Sequence, residues 1–329
     1  MMTAEEKAWC AISEARGIGP KTLWSIADYL MGQHKTAAWL LQHPDAMETA
    51  LNGRSARVDT SDLTIHEPEE MNDDRITVLH PLHPDFPERI KAFKDSFSLP
   101  ALLYTRGNTA LFNKAGVAIV GARHAGDPAL EAADRLAAEL GRNGINVTSG
   151  YAKGIDTAAH YGALRDGGTT SIVLSEGINQ FRPKRELREF FSKENTLVIS
   201  QFEPDARWAA HFAMTRNKLV CALSHAVVVI VSGPERDADG RMSGTFDAGA
   251  TAIDMGIPVF TVTPSFFDDE PAGNRQLLSK GCREWNPSDG AAPIISAIRE
   301  TPPTDSEKPA GRGKKKAKSK QLDLFENKK

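Results

Sequence analysis

The sequence predicts an α/β fold. It is an extended Rossmann-like, doubly wound, mostly parallel sheet, with a small all-helical N-terminal domain and a disordered basic C-terminal tail. Three observations predict it. Between residues 115 and 290, short continuous apolar runs alternate with helical segments, the pattern of a parallel sheet covered on both faces. Residues 1–70 carry apolar side chains at helical spacing, as in EEKAWCAISEAR and KTLWSIADYLMG. Residues 300–320 are rich in Pro, Lys, Ser and Gly, a composition that cannot bury enough apolar surface to fold. The expected division is 1–70, 71–290 and 291–329, with residues 71–114 a Pro- and His-rich connector into the sheet.

Each element has its own warrant. VAIVGA (117–122) is an apolar run ending in Gly, as a buried strand should. DPALEAADRLAAELGRNG follows as a helix, with Asp127 as N-cap, Pro128 in the first turn and Gly141 or Gly144 at its end. INVTSG is the second strand, IDTAAHYGALRDGG a helix and TTSIVLS the third strand. PKRELREFFSKE (183–194) is expected to be helical, followed by the strand TLVIS. WAAHFAMTRNKLVCALS is a helix, HAVVVIVSG a strand, SGTFDAGATAIDMG a helix and PVFTVT the last clear strand. Right-handed crossovers join such units into a doubly wound sheet.

Composition sets bounds. The 329 residues suggest two domains at about 150 residues each. With 40% apolar and 25% charged residues the chain is ordinary for a globular protein. No stretch approaches the ~18–20 apolar residues that span a bilayer, so no membrane partner is expected. MMTAEEKAWC is no signal peptide, and Cys10, Cys221 and Cys282 have no metal-type spacing; they read as reduced thiols in a cytoplasm. From Glu300 onward nine Lys/Arg face five Asp/Glu, so a tail of +4 follows a body of −7 in a chain of net charge −3. A basic tail on an acidic body is either a solvated spacer or a contact for an anionic partner.

In doubly wound sheets ligands bind beyond the carboxyl ends of the strands. After the first strand stands GARHAG, which is not G-x-G-x-x-G, and no phosphate-binding P-loop occurs; no nucleotide cofactor and no metal is expected. After the second strand, Ser149, Gly150 and Gly154 form a small-residue loop into a helix. Its backbone N–H groups suit a phosphate, and Lys153 adds a cation; close packing alone would also account for the glycines. Asp156 and His160 lie one turn apart on that helix and read as capping or buried hydrogen-bonded groups. Gly121 and Arg123 follow the first strand, Arg216, Asn217 and Lys218 precede HAVVVIVSG, and Ser243, Gly244 and Thr245 open another helix. Arginine offers phosphate a bidentate fork and lysine a point charge. Together these groups would form a polyanion groove, with Tyr151, Phe181 or Phe246 as aromatics for base stacking.

In order and spacing, these stretches resemble the DNA-processing protein A family (DprA, also called Smf). The resemblance rests on LHPDFPERIKAF…LPALLYTRGN, GAR, SGYAKGIDTAAHYGAL, LSEGINQFRP, SQFE, FAMTRNK, SGTFDAGATA and AGNRQLLSKGC, over roughly residues 76–285. It implies an extended Rossmann fold that binds single-stranded DNA without a catalytic step, protects the strand and helps load a RecA-type recombinase. Arg123, Lys153 and Arg216 fall where the family places strand-binding cations, and Lys218 stands where arginine is usual. Met214-Thr215 lacks the family's proline, and PERDADGRM adds charge before the SGT turn. The expected member is divergent, without the C-terminal winged helix, and forms a homodimer. Roles in transformation, repair, phage defence or plasmid biology all stay open.

Three further features are kept. ISEARGIGPKTLWSIADYL resembles a helix-hairpin-helix, with Gly17, Gly19 and Lys21 at a turn that could face a phosphate, or serve packing alone. GTFDAG places Asp247 near where nucleotide-cleaving Rossmann enzymes of the lysine-decarboxylase-like group carry a glutamate, so such an enzyme is the alternative reading. QLDLF resembles the short peptide with which many bacterial proteins dock on the replicative sliding clamp. Gln321 and Asp323 frame Leu322, Leu324 and Phe325, the apolar anchors.

Overall fold

The computed structural model describes residues 2–53 and 76–300. Four helices open the chain: α1 (Ala4–Glu14), α2 (Pro20–Gln33), α3 (Ala37–Leu41) and α4 (Pro44–Ala50). Thr3 and Glu6 start α1 with a capping box, in which Thr3 Oγ1 accepts from the Glu6 N–H and Glu6 Oε2 accepts from the Thr3 N–H. Gly17 turns the chain at φ 89° toward Gly19, the N-cap of α2, with Pro20 in the first helical position.

The segment expected as a connector is structured. It forms β1 (Ile76–Leu79), α5 (Glu88–Phe93) and β2 (Leu103–Gly107). β1 pairs antiparallel with β2, and the N-terminal helices pack onto this pair. Trp9, Ile12, Leu79, Phe86 and Leu103 share one buried cluster. The Trp24 indole donates to the Leu99 carbonyl at 3.0 Å, and Glu6 Oε1 accepts from the Val78 N–H at 3.3 Å. That last contact occupies a donor on the sheet's edge strand, a group otherwise open to another chain.

The main sheet then follows. Its elements are β3 (Gly116–Val120), α6 (Asp127–Arg142), β4 (Asn146–Ser149), α7 (Ile155–Arg165), β5 (Thr170–Val173) and β6 (Thr196–Ser200). After these come α8 (Ala210–Ala222), β7 (Ala226–Val229), α9 (Gly244–Asp254), β8 (Val259–Val262), α10 (Ala272–Ser279), β9 (Arg283–Trp285) and α11 (Ala292–Glu300). The strands lie in the order β1-β2-β6-β5-β4-β3-β7-β8-β9. β1–β2 and β2–β6 are antiparallel and the other pairs parallel. Successive β3 residues serve opposite faces, as the two-residue period of a strand requires. Val117 and Ile119 join Ala133, Leu136, Ile155, Ala159 and Ile294 on one side. Ala118 and Val120 join Leu219, Phe246 and Ala252 on the other. The doubly wound expectation holds.

The chain steps outward from β3 through β4, β5 and β6, then returns by α8 to β7 on β3's other flank. The point of reversal lies at β3, between β4 and β7, the place where sheets of this kind hold ligands at the carboxyl ends of their strands.

Three sequence expectations are corrected. Residues 183–194 are turns and irregular chain, not a helix. Leu187 is fully buried there, and Phe190 packs edge-on against Tyr161, so side-chain anchoring outweighs the helix propensity of the charged residues. Asp127 lies in the first turn of α6, whose N-cap is Gly126. Residues 292–300, expected in the linker, form α11, and Ile294, Ala297 and Ile298 complete a core. Gln321, Leu322, Asp323, Leu324 and Phe325 lie outside the described residues. Among the described residues no helix is long and apolar enough to cross a membrane.

Candidate functional site

Three loops meet at the carboxyl ends of β3, β4 and β5. The loop after β4 is held against its neighbours by close backbone packing. Gly154 has φ 76°, and a Cβ there would lie 2.6 Å from both the Ala122 and Arg123 carbonyl oxygens. Only glycine permits that approach. A Cβ on Gly150 would overlap the Arg216 guanidinium at 1.6 Å, so this residue is the roof over a buried charge. Gly121 packs against Ile155 in the same way on the β3 side.

Beneath the loop is a charged, desolvated floor. Arg216 is 6% exposed and donates to the Val173 carbonyl at 2.8 Å, while its Nε has no partner among the described residues. Asp156 is buried and accepts from the Ala152 N–H at 3.2 Å. Burial raises the Asp156 pKa and lowers that of Arg216, and each charge opposes the other's desolvation. His160 is fully buried, with Nδ1 2.7 Å from Thr170 Oγ1. Burial first, then Lys184 and Arg216, push its pKa down to about 3, so it is neutral near pH 7 and structural. Asp156 and His160 therefore take the buried, hydrogen-bonded role, and Asp156 does not cap α7, whose N-cap is Gly154.

Several residues expected to meet a ligand directly are part of this floor. Ser149 is fully buried and donates to the Ile119 carbonyl at 2.6 Å. Arg216 and Asn217 are buried, and Asn217 Nδ2 donates to the Gly244 carbonyl at 2.9 Å, joining α8 to the start of α9. Ser243 caps α9 by accepting from the Phe246 N–H, and Thr245 is half-buried behind it. Lys218 is half-buried near Asp247. Asp247 itself accepts from Asn217 at 3.4 Å, and burial raises its pKa.

What faces solvent is a smaller set. Arg123 and Lys153 are exposed on adjoining loops. The N–H groups of Lys153 and Gly154 find no protein acceptor among the described residues. The aromatics proposed for stacking are corrected: Phe181 and Phe246 are buried, and Tyr151 is half-buried with its hydroxyl engaged by residues 182 and 184. The open aromatic is Trp208, 49% exposed, with the Arg123 guanidinium 5.7 Å from its ring centroid. Sequence reading placed Trp208 inside a helix, whereas α8 begins at Ala210, which frees the indole. Lys184 was missed for a related reason, being assigned to a helix that does not form. Gly17, Gly19 and Lys21 belong to the helical hairpin packed on the antiparallel side of the sheet. Among the described residues no cluster of His, Cys, Asp and Glu could hold a metal.

Comparison with known proteins places this geometry. A DNA processing protein DprA of Streptococcus pneumoniae is 30% identical over 190 residues, covering 57% of this chain and 64% of the relative. The matched stretch thus falls just short of two thirds of that relative's length. A crystal structure of DprA from Streptococcus pneumoniae shares the fold, with a TM-score of 0.66, 23% identity, and coverage of 90% of this chain and 98% of that one. DNA processing protein A from Helicobacter pylori, whose structure is described as revealing a unique single-stranded DNA binding mode, aligns with a TM-score of 0.55 and 26% identity. That alignment covers 68% of this chain and 96% of the Helicobacter chain. Residues 77–291 match the family described as DNA recombination-mediator protein A, and the chain belongs to that family, DprA/Smf.

Proposed function

We propose that this chain binds single-stranded DNA at the carboxyl ends of β3, β4 and β5, without a catalytic step. The observation that carries the reading is the exposed surface set on the buried Asp156–Arg216 floor. Arg123 and Lys153 stand on adjoining loops, the N–H groups of Lys153 and Gly154 have no acceptor among the described residues, and Trp208 lies beside Arg123. Phosphates take the cations and N–H groups, and an unpaired base takes the indole face. Family membership and the single-stranded DNA binding described for the Helicobacter protein support it. A splayed, unstacked strand can reach Trp208, whereas a duplex keeps its bases stacked, which favours single strands.

The test is a salt series on fluorescent single-stranded and duplex oligonucleotides. The single strand binds more tightly, its affinity falls steeply with salt, and Trp208 fluorescence is quenched on binding. Affinity that ignores salt, or equal preference for duplex, overturns the reading. Nothing about Asp247 favours the nucleotide-cleaving alternative; free base released from nucleoside monophosphates would revive it.

The remaining partners are proposals of the same reading. The bound strand is handed to a RecA-type recombinase, the chain works as a homodimer in the cytoplasm, and the pathway is DNA uptake and transformation, phage defence or repair. The peptide Gln321–Phe325 docks on a replicative sliding clamp. Full-length chain with Leu324→Ala and Phe325→Ala then loses clamp binding and keeps DNA binding; undiminished clamp binding rejects the docking role.

A further inference from the structure

Lys184 lies outside the cations assigned to DNA, yet it is the most heavily engaged cation at the site. Its ammonium donates to the Tyr151 carbonyl at 2.9 Å, the Ala152 carbonyl at 2.9 Å and Thr157 Oγ1 at 2.6 Å. An ammonium has three protons, so all are occupied within the protein and none is left for a phosphate. Its Nζ also lies 4.4 Å from the Tyr151 ring centroid.

Tyr151 closes the same clasp from the other side. Its hydroxyl accepts from the Lys184 N–H at 2.8 Å and donates to the Arg182 carbonyl at 3.2 Å. Its backbone is left-handed at φ 63°, a conformation a bulky residue keeps only where its surroundings fix it. With the carbonyls of 151 and 152 drawn to Lys184 and the Ala152 N–H drawn to Asp156, the next N–H groups are those of Lys153 and Gly154, which have no acceptor among the described residues. The segment 182–184 is thereby stitched to the loop after β4. Partial burial lowers the Lys184 pKa, in keeping with a cation sequestered behind the loop.

We propose that Lys184 is a positioning residue, which pulls the 151–152 carbonyls inward and so holds the 150–154 loop in the shape that offers Lys153 and its neighbouring N–H groups to a phosphate. This rests on the single-stranded DNA reading above. The experiment uses the full chain and a fluorescein-labelled oligothymidylate, with Lys184→Met, Lys153→Ala and the double variant compared across a salt series. Hydrogen exchange of residues 150–157 is measured alongside, without DNA. Lys184→Met binds about tenfold more weakly, and its loop exchanges faster. Lys153→Ala then costs little more in the Lys184→Met background, because the loop no longer holds Lys153 in place. Thr157→Val, which removes one of the three Lys184 acceptors together with the hydroxyl's own bond to the Ala152 carbonyl, moves both readouts less and in the same direction, and so guards against a Lys184→Met chain that fails to fold.

Unchanged affinity in Lys184→Met overturns the proposal. So do fully additive costs with a salt slope lowered by about 0.7, the signature of a lost phosphate contact on a single strand. If the wild-type chain binds no oligothymidylate, the DNA reading fails by itself. The exchange comparison still judges Lys184, since unchanged protection at 150–157 shows that it does not set the loop.

Discussion

Replacing Arg216 with methionine lowers the unfolding free energy by about 3–5 kcal/mol, the range for removing one partner of a buried charge pair. Methionine fills much of the same volume, so the loss is electrostatic rather than a cavity. Arg216 is 6% exposed, opposes the desolvation of Asp156 and satisfies the Val173 carbonyl. Without it Asp156 is a buried carboxylate compensated by the Ala152 N–H, Ser149 and Lys184 alone among the described residues. The pH dependence follows from the sign of the shift. The Asp156 pKa is already raised by burial in the wild type, so the folded state binds its proton more readily than the unfolded chain. Losing Arg216 raises it further, so the variant's deficit is largest above the folded Asp156 pKa and shrinks as pH falls through it. Urea melts at two pH values check this, and Asp156→Asn in the Arg216→Met background restores part of the stability. A deficit that is the same at every pH would show that the loss does not pass through Asp156.

This floor was not legible in the sequence. TRNK reads as a cluster of ligand-facing groups in sequence, and whether a helical arginine is buried is decided by the elements facing it. The carboxylate that matters comes from α7, and the space comes from Gly150, whose missing Cβ admits the guanidinium. Sequence marked both residues as special and assigned them to the ligand. The parallel strands were legible because each is a short apolar run between glycines or polar turns, and β3 through β8 fall where those runs are. β1 and β2 were missed because their warrant is tertiary. ITVL and LYTRG are brief, flanked by Pro and His, and held by antiparallel pairing and by α1. Residues 183–194 show the opposite error, with good local helix propensity overruled by Leu187 and the lysine clasp.

Arg123→Ala combined with Lys153→Ala weakens single-stranded DNA binding about a hundredfold at low salt, at roughly 1.4 kcal/mol for each lost contact, and leaves the fold intact. Both side chains are exposed, so nothing in the core depends on them. Their weight comes from the charge around them. The chain carries a net charge of −3, and an acidic body repels a polyanion everywhere except where cations are concentrated. Each lost phosphate contact on a single strand lowers the slope of log affinity against log salt by about 0.7, so the double variant loses about 1.4. Arg123→Lys separates charge from shape. It keeps the cation, so the salt slope stays. It loses the planar fork and the stacking beside Trp208 at 5.7 Å, so affinity falls at constant slope. A slope that falls in Arg123→Lys as far as in Arg123→Ala would mean that the lysine no longer reaches the phosphate. The geometry of the guanidinium, and not charge alone, would then place the strand.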